Sequence, residues 1–199
     1  MKMLFAPLVL GLVFGHYAEA NSQWSGEAPG IPPALPIDTR CSLTAGGGVV
    51  DYGTLSRWQL QDAQTGHNNV TFGKRTLTIN VACPFSQIMR LTVRGERSIR
   101  GDFRYGNRGS MIVRLFDAQI DGESVQIASN TPDGIIKGAV GDSVLLRPSE
   151  SFSAISNGQL AKGKTFTARL EIDPTLPEAD ARVSAHEVNE ANLTIELMN

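Results

Sequence analysis

Cys41 and Cys83 are the only cysteines in the chain, and the stretch they bracket constrains the fold more than any other feature. Arg40-Cys41-Ser42-Leu43 opens it and Asn80-Val81-Ala82-Cys83-Pro84 closes it. Leu77, Ile79, Val81 and Cys83 recur at every second position, the period of a half-buried strand. The second thiol is therefore in phase with the core face of that strand. A thiol so placed calls for a partner on a neighbouring strand, which predicts one disulfide clamping an early strand to the next long one. In the loop-entropy model, closing roughly 40 residues is worth about 4 kcal/mol.

The first twenty residues fit an oxidised pair. Met1-Lys2 gives a positive start, Met3 to Phe14 is largely apolar, and Ala18-Glu19-Ala20 has the small-x-small form that signal peptidase accepts. The apolar run is too short for a bilayer, and no later run of eighteen uncharged apolar residues follows, so no stable membrane span is expected. Residues 1–20 read as a signal peptide, and export would place the cysteines where an even pair is bonded. No second Cys or His pair stands at ligand spacing, so a metal site is not expected. The formal net charge of −2 lacks the basic footprint of a nucleic-acid binder.

Asn21 to Thr39 is an arm rich in proline (Pro29, Pro32, Pro33, Pro36), which excludes a helix or a central strand. Ile31, Leu35 and Ile37 share one parity there and would lie on one face of an extended arm. From Cys41 onward the pattern is short strands. Cys41–Thr44 and Val49–Tyr52 are two pieces broken by three glycines, and Thr76–Cys83 is the clearest strand, ended by Pro84. Ile88–Val93, Met111–Phe116, Ser124–Ala128 and Ser143–Leu146 follow. Lys164–Ile172 is stopped by Asp173-Pro174, and Asn192–Met198 closes the chain. Ser56–Thr71, Gly95–Gly109, Ser129–Gly141 and Thr175–Ala185 read as loops or turns. Seven or eight strands separated by turn signals predict an all-β sandwich, with residues 40–199 as its domain.

Catalytic chemistry is not legible. His67 and His186 stand in polar surroundings without a second ligand, and Gly141-Asp142-Ser143 has no Asp-x-x-His partner near the end. No nucleophile elbow or phosphate-cradling loop occurs. The expectation is a protein that is not an enzyme and uses no cofactor. Binding or assembly remains, and the final strand points to it. Leu193, Ile195 and Leu197 alternate with Thr194 and Glu196 close to the chain end, the pattern of an edge free to pair with another chain.

Several residues together resemble a known family. These are the first cysteine, Val50-Asp51-Tyr52-Gly53-Thr54-Leu55, the strand Leu77-Thr-Ile-Asn-Val-Ala-Cys83, the late Phe166-Thr-Ala-Arg169 and the alternating terminal strand. In this order they are similar to the subunits of bacterial chaperone–usher pili. That resemblance implies an incomplete immunoglobulin-like β-sandwich whose seventh strand is missing, leaving a groove beside the last strand. It implies that Cys41 and Cys83 are the family's disulfide, and that Phe166 and Ala168 lie on a core-facing strand. Leu193, Ile195 and Leu197 would line the acceptor groove. Asn199 would supply a carboxylate for a chaperone to anchor, and Ile31, Leu35 and Ile37 would be the candidate donor arm. The partners implied are a periplasmic pilus chaperone, an outer-membrane usher and neighbouring pilus subunits, with fimbrial adhesion at the cell surface as the outcome. The chain departs from the family where Met198 stands for an aromatic and where Pro32, Pro33 and Pro36 interrupt the arm. The alternative is a self-complete secreted β-sandwich that binds a surface glycan or protein through Arg94, Arg97, Arg100, Arg104 and Arg108.

Overall fold

The computed structural model describes residues 39–64, 68–131, 133–182 and 185–198, so Ile31, Leu35, Ile37, His67 and Asn199 lie outside the described residues. The described residues form β1 (Ser42–Ala45), β2 (Gln61–Asp62), β3 (Asn69–Thr71), β4 (Arg75–Ile88) and β5 (Arg90–Gly95). They continue with β6 (Phe103–Tyr105), β7 (Gly109–Ile120), β8 (Glu123–Ser124), β9 (Gln126–Asn130) and β10 (Ile136–Gly141). The last are β11 (Ser143–Leu146), β12 (Glu150–Ser156), β13 (Gln159–Leu160), β14 (Lys162–Pro177) and β15 (Leu193–Leu197). Two short 3-10 turns, Arg57–Gln59 and Glu178–Ala181, are the helical pieces among the described residues.

The strands build two antiparallel sheets, as the alternating pattern predicted. The first runs β1-β4-β14-β7-β11, with β3 continuing the β4 side of β14 and β2 outside it. The second runs β10-β9-β12-β5-β15, with β13 a hairpin on β12. Ile79, Val81, Leu91, Val93, Leu115, Phe152, Phe166 and Ala168 are fully buried in one core. At one flank the chain passes through Asp142 from β10 in the second sheet to β11 in the first, which closes that side covalently. β1 and β15 are the sheet edges at the other flank.

Several sequence boundaries are corrected. β4 does not end at Pro84 but runs to Ile88, because Pro84 lies beyond the last β1 pair, Ser42↔Ala82. On its other side it sits inside a bulge, where the β14 partner changes from Ala82 to Gln87 between Thr165 and Gly163. Nor does Pro174 stop β14. It stands between the last β4 pair, Ile172↔Arg75, and the first β3 pair, Thr175↔Thr71, so no ladder partner on that side needs its missing N–H. β12 has no counterpart in the sequence reading, because its residues do not alternate. Phe152 and Ala154 enter the core while Ser151, Ser153 and Ile155, on the opposite face, are buried as well. β2, β3, β6 and β10 occupy segments that read as loops. They are short pieces specified by pairing with β14, β7 and β9 and carry little alternation of their own.

Val49–Tyr52 is the opposite case: a predicted strand that makes no ladder. The Gly46 N–H still donates to the Thr78 carbonyl at 2.8 Å. Gly47 and Gly48 then take φ of 90° and 58°, a left-handed region that glycine enters without a Cβ penalty, and the chain leaves β4.

Candidate strand-accepting cleft

One wall of the open flank begins at the disulfide. Cys41 and Cys83 are bonded, with Cα atoms 4.2 Å apart. The register Ser42↔Ala82 places the two cysteines directly across from one another. The Gln87 amide donates to both sulfurs, at 2.7 Å to Cys41 and 3.1 Å to Cys83. β1 is thereby fixed against β4, and Leu43 stays only partly buried against the core.

Beyond β1 the chain runs through Val50–Leu55, where Val50 and Leu55 also pack partly buried against the core. Among the described residues no backbone–backbone hydrogen bond reaches Val50–Leu55. Side chains hold the segment instead. The Asp51 carboxylate accepts the Gly53 N–H at 2.7 Å, which supports the left-handed turn of Gly53 at φ 70°. Tyr52 stacks edge-on against Phe72 at 5.8 Å, Phe72 against Tyr105 at 5.3 Å, and the Arg75 guanidinium lies 5.5 Å from the Tyr52 ring. The Tyr52 hydroxyl donates to the Ile172 carbonyl at 3.5 Å, and burial pushes its pKa up to about 12.

β15 is the second wall. Leu193, Ile195 and Leu197 lie opposite Gly95, Val93 and Leu91 of β5, so their side chains face the core. Leu91 and Val93 are fully buried, but the three residues facing them are only partly covered. The backbone explains what is missing. The Met198 N–H donates to the Arg90 carbonyl at 2.8 Å, which sets the phase of the ladder. Antiparallel bonding alternates, so Thr194 and Glu196 carry the bonds to β5. Leu193, Ile195 and Leu197 then turn their N–H and C=O groups to the other side, the sheet edge. On the outer face Arg94 Nε meets Glu196 Oε2 at 2.6 Å and fastens β15 to β5.

Strand order gives the vacancy an address. β1-β4-β14-β7 follows the A-B-E-D order of an immunoglobulin sandwich, and β5-β15 follows C-F. In that fold strand G lies beside F, closing the flank. Among the described residues no strand occupies that place beside β15.

Of the residues expected from sequence, Cys41, Cys83, Leu193, Ile195 and Leu197 fall on this flank, and Phe166 and Ala168 are fully buried on β14. Asn199 and the arm residues Ile31, Leu35 and Ile37 lie outside the described residues. Sequence reasoning did not single out Leu43, which lies partly buried on the edge strand β1 at this flank. Leu43 alternates with Cys41, which was the available signal. The arginines of the alternative reading are each engaged inside the chain. Arg94 meets Glu196, Arg104 meets Glu96 at 3.1 Å, and Arg108 meets Asp180 at 3.0 Å. Arg97 donates to the Pro148 carbonyl and Arg100 to the Ser110 hydroxyl.

The chain matches no protein-family model and none of the curated proteins. Among solved structures it is similar to the P pilus rod subunit PapA, at 15% identity and a TM-score of 0.29, over 79% of this chain and 98% of that one. At that identity and overlap, the likeness does not assign the chain to a family.

Proposed function

We propose that this chain is a structural subunit, of the minor kind, of a chaperone–usher fimbria, assembled by accepting a β-strand from another molecule. The observation that carries the reading is the unoccupied edge of β15. There the same three residues, Leu193, Ile195 and Leu197, present part-covered apolar side chains and outward backbone groups. An added strand would satisfy those N–H and C=O groups and cover the side chains, the general form of recognition by strand addition. Burying three aliphatic side chains from the donor contributes about 5–9 kcal/mol, at about 1.5–3 kcal/mol each. Six backbone bonds add about 1 kcal/mol apiece. Together these match the whole stability of an ordinary domain, about 5–15 kcal/mol. The unfilled subunit would therefore be marginal and would need a chaperone strand in transit through the periplasm.

On this reading residues 1–20 direct export, and residues 21–39 are the arm through which a subunit reaches its neighbour. Pro32, Pro33 and Pro36 lack the N–H groups that a donor strand supplies, which favours a subunit that accepts a strand over one that also gives it. Co-expression in the periplasm with a cognate chaperone tests the proposal. The expected result is a stable one-to-one complex, lost when residues 193–199 are deleted. A stable monomer recovered in full yield without any chaperone would overturn it.

A further inference from the structure

A second feature lies in the middle of the first sheet, on its outer face and away from the open flank. Between β7 and β14 the register slips: Thr167 pairs with Gln119, but Arg169 pairs with Phe116. β7 carries one extra residue there, which forms a bulge, and Asp117 adopts a left-handed φ of 52° within it. Core-facing residues show the consequence. Leu115 is fully buried and the next inward residue is Ala118, three positions on rather than two. Phe116 and Asp117 are therefore both turned to the outer face, a placement that regular pleating forbids.

The bulge borders a shallow depression of about 420 Å³ lined by Thr78, Asp117, Gln119, Ser124, Thr167 and Arg169. Arg169 Nη1 stands 3.5 Å from Asp117 Oδ2, and both side chains are 60% exposed. The lining thus offers a carboxylate that accepts, a guanidinium that donates, an amide that does both, and three hydroxyls. The opposed charges rule out a strong preference for an anion or a cation. Phe116, half-buried and paired with Arg169, is not among the lining residues but stands next to them on the same face.

The geometry points to a binding site for a neutral saccharide on this face. Adjacent hydroxyls of a sugar ring can bridge Asp117 and Arg169, with Gln119 and the threonines reaching the neighbouring oxygens and Phe116 meeting the ring's C–H face. Left-handed backbone at a non-glycine residue, next to a bulge, is the kind of local irregularity that re-aims side chains at functional sites. β7 and β14 lie inside the sheet, two and one strands in from β4, so filling the cleft beside β15 leaves this face open.

The test uses an array of neutral glycans ending in galactose, glucose, mannose or N-acetylglucosamine, with sialylated glycans alongside. Amide NMR then follows titration with the best binder. Expected are shifts confined to Asp117–Gln119 and Thr167–Arg169, and affinity weakened at least about tenfold in Asp117→Asn and Arg169→Ala. Asparagine tolerates the left-handed conformation, so Asp117→Asn keeps the bulge. Gln119→Ala is a third variant should either of the others lose its cooperative melt. Absence of binding across the neutral array, binding to sialylated glycans alone, shifts elsewhere, or variants that bind like the parent would each overturn the assignment.

Discussion

Asp121 shows how one side chain can hold two strands together at a turn. It adopts a φ of 50° before Gly122, at the end of β7, and its Oδ1 accepts the Thr165 N–H at 2.8 Å and the Lys164 N–H at 3.0 Å. The Thr165 backbone bond holds the carboxyl below the ordinary aspartate range, with the Thr165 hydroxyl and Lys164 adding to it. A depressed folded pKa means stabilisation present above the unfolded value and lost as pH falls through the folded one. Acid titration of unfolding should therefore show Asp121→Asn destabilised at neutral pH and converging on the parent in acid. Parallel curves across the whole range would refute this. Tyr52 has the opposite sign. Its pKa of about 12 against an ordinary value near 10 predicts stability that declines as pH rises from about 10 towards 12. Ultraviolet titration of the phenol reads it directly: normal ionisation of all tyrosines would mean the residue is not buried as described.

At the scale of elements, alternation was the legible signal, and it located β4, β5, β7, β14 and β15. It failed where both faces are buried, as in β12, and where a partner strand dictates pairing, as in β2, β3, β6 and β10. Proline misled at positions 84 and 174, because its effect depends on whether a neighbour needs the missing N–H, and that is a tertiary fact. The cysteine pair was readable because Cys83 keeps the parity of Ile79 and Val81. The course of Val50–Leu55 was not, since that segment is held by Asp51 and Tyr52 side chains and not by a ladder. Two expectations belong here. Cys41→Ser should lower stability by about 2–5 kcal/mol and cut the yield of exported protein; an unchanged denaturation midpoint would show that the bond is dispensable. Ile195→Asp should leave β15 paired with β5 through Thr194 and Glu196 yet weaken strand capture at least about tenfold, and a pull-down showing undiminished capture would place the cleft elsewhere.

At the scale of the whole molecule, the two flanks of the sandwich are built differently. One is closed by the chain itself, where β10 passes into β11. The other ends in β1 and β15, each paired on one side among the described residues, with apolar side chains left half covered. The proposed strand-accepting role rests on this asymmetry, and not on any single residue. The two proposed sites are separate, because the depression beside Asp117 lies on the outer face of the first sheet, away from the edge of β15. Hydrogen exchange at the Leu193, Ile195 and Leu197 amides reads the open edge of β15 residue by residue, measured on the isolated chain and again with a strand-donating chaperone or peptide. An open β15 edge predicts fast exchange at these three residues of β15, slow exchange at Thr194 and Glu196 throughout, and protection of all five once the donor is bound. Slow exchange at Leu193, Ile195 and Leu197 in the isolated monomer would contradict it, since their N–H groups would already have partners.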